Sequence, residues 1–216
     1  INQESPYDES AADGHNLFAI KTTIGTVKAA YPPGFSILPN ALMAVVLDRT
    51  QDPRAIPFRD AARAQVAWST AHLDVEDPAL TKGQRMSADL LMSSLAGFAR
   101  LDPTGVPDTF NDFVDRWSQV VIRRSANLWD FFQLTDDGHW VAYVDGHETK
   151  WNDPGSVLAL PSAALSAAGL VTDSLQRDRL REIAYAAMDH VFGRNPTGRH
   201  FSYDAPREIE GVERGW

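Results

Sequence analysis

The chain contains no cysteine. That absence removes disulfides, Cys-ligated zinc, iron–sulfur centres and thiol catalysis at once. It fits a cytosolic protein and equally a bacterial secreted one that folds without disulfides. Positive charge is scarce: 20 Lys and Arg stand against 29 Asp and Glu, a net charge of −9. Nucleic acids and anionic membranes both select Lys and Arg, so neither is an expected partner. No apolar run reaches the roughly 18 residues of a transmembrane helix. Gly-x-Ser-x-Gly is missing, which argues against a serine-nucleophile elbow. Gly-x-Gly-x-x-Gly and phosphate-loop patterns are missing too, which argues against the ordinary nucleotide enzymes. No basic–apolar–small signal pattern precedes Ile1. With the Gly215-Trp216 ending, this leads us to expect a processed chain or a fragment of a larger polypeptide.

What is present is globular and helical. With 216 residues and 44% apolar content, the chain can bury a good core. Residues 1–57 read as an irregular N-terminal segment. Within it, 1–14 is loop, 15–27 is extended, and an apolar run suggests a short buried helix over 40–48. From 58 onward the 3-4 apolar rhythm predicts helices over 58–73, 84–101, 109–133, 155–169 and 174–192. Asp108 or Thr109 is the expected N-cap of the long 109–133 helix, and Asp173 that of the last, with Gln176 closing a capping box. Trp68, Trp117 and Trp129 fall on these helix faces. Pro161 should kink its helix unless it lies in the first turn. Between the helices, His139–Val144, Asp145-Gly146 and His147–Trp151 predict a small β-hairpin. Short connections make successive helices antiparallel neighbours. The fold class is therefore mainly α, built of antiparallel helical hairpins with a β-hairpin insert, over 58–216.

The richest local signal is Asp189-His190-Val191-Phe192-Gly193-Arg194-Asn195-Pro196-Thr197-Gly198-Arg199-His200-Phe201. Gly193 suits the left-handed position past a helix end, and Pro196 cannot continue the helix. The loop carries guanidiniums, an amide and an imidazole off that end. Trp140, Tyr143, Trp151 and Trp216 are candidate stacking faces for a ligand, although Trp140 and Trp151 also fit a simple cross-strand pair. Asp204, Glu208, Glu210 and Glu213 are the candidate acid/base carboxylates, against the plainer reading of a charged tail. His139, His147, Glu148, Asp136 and Asp137 lack metal-ligand spacing, so no metal or other cofactor is expected.

The run from Asn152 to Tyr203 resembles the C-terminal part of the six-hairpin (α/α) toroid glycosidases, closest to the family 9 glycoside hydrolases. Gly155-Ser156-Val157-Leu158 matches the start of an apolar helix in that family. Phe192-Gly193-Arg194-Asn195-Pro196 and the Thr197–Phe201 loop match the turn that follows the next helix. The family's catalytic aspartates lie in a Tyr-Asp-Ala-Gly-Asp-like motif far upstream. The Tyr7-Asp8 to Asp13-Gly14 segment has a longer spacing, so no catalytic aspartate is carried over. The resemblance implies a partial or shortened toroid. It implies acid/base hydrolysis of a β-linked glycan, and a carbohydrate as partner. Arg194, Arg199, His200, Tyr203, Trp151 and Trp140 would line the sugar site. Extracellular or periplasmic placement would follow. The alternative is a non-catalytic glycan-binding or structural helical module.

Overall fold

The computed structural model describes residues 34, 36–76, 90–133, 143–144, 147–148, 153–195, 198–200 and 213–214. The extended segment predicted over 15–27 and the start of the 84–101 helix lie outside these residues. Six α-helices stand among the described residues: α1 (Ile37–Arg49), α2 (Ala55–His72), α3 (Leu90–Leu101), α4 (Thr109–Arg124), α5 (Asp153–Ala168) and α6 (Ser174–Val191). Pro39 and Pro57 each occupy the first turn of a helix, where the missing N–H costs nothing. Leu101 ends α3 directly before Asp102-Pro103, and a short 3₁₀ turn, Pro103–Gly105, leads toward α4.

The helices stack in two layers. Helices α1, α3 and α5 pack successively in one layer, and α2, α4 and α6 in the other. Within the first and last hairpins, α1 packs on α2 and α5 on α6. The core runs through all six, with Val66, Leu95, Phe98, Phe113, Val121 and Ile183 fully enclosed. Ile37 and Ala41 of α1 belong to the same core, so the helical body begins well before residue 58. Gly97 lets α1 approach α3: a Cβ there would sit 2.6 Å from the Leu38 Cδ1.

Two expectations are corrected. The helix predicted over 109–133 stops at Arg124. Asn127 ends it, because its side chain competes for the backbone. The Asn127 Oδ1 accepts the Trp129 and Phe131 N–H groups at 3.1 Å each, and its Nδ2 donates to the Phe131 carbonyl at 2.6 Å. Trp129 is therefore a loop residue, and Leu128, part of the apolar rhythm, is exposed. Helix α1 is not buried all round: Leu42, Met43 and Val46 face outward. Pro161 sits inside α5 (Asp153–Ala168), beyond its first turn.

Caps differ as well. Asp173 accepts from the Gln176 N–H at 2.7 Å, the expected N-cap. Gln176 does not close the box; its amide donates to the Asp115 carbonyl of α4 instead, at 3.2 Å. Asp108 precedes α4 without a side-chain cap bond. Where the hairpin was predicted, Tyr143–Val144 and His147–Glu148 pair antiparallel. The flanking residues of that insert, including Asp145-Gly146, lie outside the described residues.

Candidate functional site

The site is built at the C-terminal end of α6. Phe192 is the C-cap and Gly193 follows with φ +110°. The Arg194 N–H reaches back to the Asp189 carbonyl at 3.0 Å, and the Gly193 N–H to the His190 carbonyl at 3.4 Å. These two bonds are the Schellman arrangement, which requires a left-handed residue past the helix end. Asn195 completes the turn. It is buried, and its Nδ2 donates to the His190 carbonyl at 2.7 Å. Gly193 and Asn195 therefore shape the backbone, while Arg194 between them stays exposed.

The 127–133 loop packs against this helix end. Asp130 adopts φ +52°, a left-handed conformation that Asp tolerates better than most residues. Its carboxylate accepts a hydrogen bond from Arg179 of α6. It also lies 4.0 Å from the Arg194 guanidinium, and Asp189 lies 3.9 Å from that guanidinium's other end. Arg179 holds Glu182 at 3.0 Å on its own helix. The partner carboxylate of Asp130 pushes the Arg179 guanidinium above its ordinary value. The Arg194 contacts are longer than hydrogen bonds, so its N–H donors retain freedom to engage a ligand. Beside these charges, the Phe131 ring meets the His190 ring with centroids 4.3 Å apart. Burial pushes the His190 imidazole below its ordinary value, so it favours the neutral form.

The arrangement offers planar donors, a carboxylate fixed by guanidiniums and an aromatic surface. These groups suit hydrogen bonding to hydroxyls and stacking on C–H faces. A carboxylate engaged by Arg179 is better placed to orient groups than to exchange protons. Among the described residues, no group of three His, Cys, Asp or Glu side chains is placed to hold a metal ion.

Of the residues proposed from sequence, Arg194 is at the centre of this cluster. Arg199 and His200 form a two-residue strand that pairs in parallel with Glu213–Arg214, Arg199 opposite Glu213. The backbone thus brings one candidate carboxylate position beside the loop. Trp140, Trp151, Trp216, Tyr203, Asp204, Glu208 and Glu210 lie outside the described residues. So do Asp136, Asp137 and His139. Sequence reading missed Asp130, Arg179 and Phe131. Asn127 was the available signal, an amide within an otherwise helical pattern. Trp117 is core, and Trp68 is half-buried, stacked on His72 with centroids 5.2 Å apart. No helix among the described residues is long and apolar enough to cross a membrane. No family model, curated protein or solved structure matches the chain.

Proposed function

We propose that this chain is a glycoside hydrolase-like protein that holds a β-linked glycan along the loop from Arg194 to Tyr203. The observation that carries the reading is the Gly193–Asn195 cap. It spends Gly193 and Asn195 on the backbone turn and leaves Arg194 exposed beside Asp130, Phe131 and His190. That is a loop carrying donors and an aromatic edge on a rigid helix end. The two-layer order of the helices is the order that part of an (α/α) toroid would have, with alternate helices in an inner and an outer layer. The parallel pairing of Arg199–His200 with Glu213–Arg214 sets the Glu213 position beside the loop, which supports Glu213 as one of the acid/base carboxylates.

The test is hydrolysis of soluble β-linked oligosaccharides beside calorimetric titration of the same ligands. Turnover is expected, lost in Glu213→Gln with binding retained. Arg194→Ala and Arg199→Ala should each weaken binding by about 1–3 kcal/mol with little change in melting temperature. Unchanged affinity in both arginine variants would overturn the site.

One observation favours the rival reading, a non-catalytic glycan-binding module. Asp130 is the carboxylate the structure fixes at the site, and Arg179 already holds it. Binding without turnover, unaffected by Glu213→Gln, would decide for that reading.

A further inference from the structure

A groove of about 530 Å³ runs between α4 and the start of α6. Its volume is that of a small-molecule site. Asp115, Gln119 and Ile122 line it from one face of α4, and Thr172, Asp173 and Gln176 line it from α6 and the turn before it. Gln176 fixes the geometry of one end. Its side-chain amide donates to the Asp115 carbonyl at 3.2 Å, and its backbone N–H donates to the Asp173 carboxylate at 2.7 Å. The two aspartates therefore stand on either side of one residue. That residue lies roughly 25 Å from Gly193 along the helix axis, at 1.5 Å per residue.

Neither carboxylate has a cation of its own. Among the described residues, the Asp115 carboxylate makes no ion pair or hydrogen bond, and the Asp173 carboxylate accepts the cap bond and no other. The guanidiniums nearby are engaged elsewhere. Arg116 holds Asp112 at 2.9 Å, Arg123 holds Glu76 at 2.6 Å, and Arg177 donates to the Val171 and Thr172 carbonyls at 3.1 and 3.3 Å. By contrast, Asp102 and Asp130, half-buried like Asp115, are each held by an arginine. A half-buried carboxylate without a counter-charge loses hydration and gains nothing in return; a bound cation would reverse that. The α6 dipole already stabilises Asp173, which leaves Asp115 as the main attractor. The chain's net charge of −9 draws cations toward the surface as a whole.

We propose that this groove binds an alkyl guanidinium or ammonium ion, with the cationic head at Asp115, Asp173 beside it, and the aliphatic stem along Ile122. Ile122 lies about 10 Å beyond Asp115 along α4. Its half-buried side chain packs on the core and gives the stem an apolar wall. The Gln119 amide, between the two on the same face, can donate to or accept from polar atoms of the ligand, as can the Thr172 hydroxyl. A guanidinium presents donors in a planar fork, which suits two carboxylates flanking one residue. A free alkylamine and the arginine or lysine side chain of another protein share this chemistry. The groove shares no lining residue with the Arg194 cluster, so sugar binding there and cation binding here can fail separately.

The test is amide-resolved NMR titration of the 216-residue chain with n-butylguanidinium and with a capped short peptide carrying one arginine. Saturable shifts are expected at the Asp115, Gln119 and Gln176 amides between about 0.1 and 10 mM ligand. The same peptide with citrulline, isosteric and uncharged, should give none. Peptide binding tighter than n-butylguanidinium by about tenfold or more identifies a protein side chain as the ligand; equal or weaker binding identifies a free amine. Asp115→Asn should weaken both ligands about fivefold to tenfold. Asp173→Asn keeps the helix cap and should weaken them about twofold. Gln119→Lys sets an internal ammonium one turn from Asp115 and should block the groove with an unchanged circular dichroism spectrum, which keeps the test open if Asp115→Asn perturbs the fold. Asp178→Asn, on α6 outside the groove, should change nothing. The absence of saturable shifts at about 10 mM ligand would overturn the proposal. So would an equal response to the citrulline peptide, or an affinity unchanged in both Asp115→Asn and Gln119→Lys.

Discussion

Two helix ends in this chain use the same cap with different residues. Past α6, Gly193 takes the left-handed position at φ +110°. Past α1, Gln51 takes it at φ +56°, while Gln51 and Asp52 donate back to the Asp48 and Leu47 carbonyls at 3.0 and 2.9 Å. A side chain with a Cβ is strained in that conformation, and glycine is not. Gly193→Ala should therefore destabilise by about 1 kcal/mol, and Gln51→Gly should stabilise by up to about 1 kcal/mol. Urea titration of the two variants checks the opposite signs. His190 adds a pH signature. Its folded pKa lies below the unfolded value, so it contributes stability above pH about 6.5 that is lost as pH falls toward the folded value. Melting temperature should drop more steeply across pH 6.5 to 5 in the parent than in His190→Phe.

At the scale of elements, the hairpins are joined by polar contacts that the helices alone do not explain. Arg63 of α2 forks onto Asp102 at the end of α3, at 2.7 and 2.9 Å. The Arg63 guanidinium holds the Asp102 carboxyl below the usual carboxylate range, so this stability is present above pH about 4 and lost as pH falls through the folded value. The pair is partly exposed, with 41% of the Arg63 side chain open to solvent. A double-mutant cycle with Arg63→Met and Asp102→Asn should yield about 0.5–1 kcal/mol of coupling at pH 7, shrinking as the Asp102 carboxylate is protonated in acid. Arg124, buried at the end of α4, donates to the Glu76 carbonyl and carboxylate beyond α2. The N-cap of α6 is simpler: Asp173→Ala should cost about 1 kcal/mol by the same titration.

Across the whole molecule, one contiguous core links both layers, so the six helices should unfold together. Trp117 is buried in that core and reports on packing, while circular dichroism reports on the helices. The two melts should coincide. Phe113→Ala, at a fully enclosed position, should shift both downward by the equivalent of about 3–5 kcal/mol. Separate transitions for the two probes would show that the stack is divisible into independent hairpins.

The linear sequence determined the local features, because they depend on neighbours within a few residues. The 3-4 spacing of Ala62, Val66 and Ser69, or of Leu91, Leu95 and Phe98, marks buried helix faces. The Asp173 cap and the left-handed Gly193 were legible for the same reason. Apolarity alone did not reveal which faces would be covered. Leu42, Val46, Leu175 and Met188 fit the helical pattern yet remain exposed, because burial depends on whether another hairpin lies alongside. The candidate site divided in the same way. Arg194 was visible from the turn that carries it. Asp130, Arg179 and Phe131 come from positions up to 64 residues away in the chain, and only the packing of the 127–133 loop on the end of α6 brought them to it.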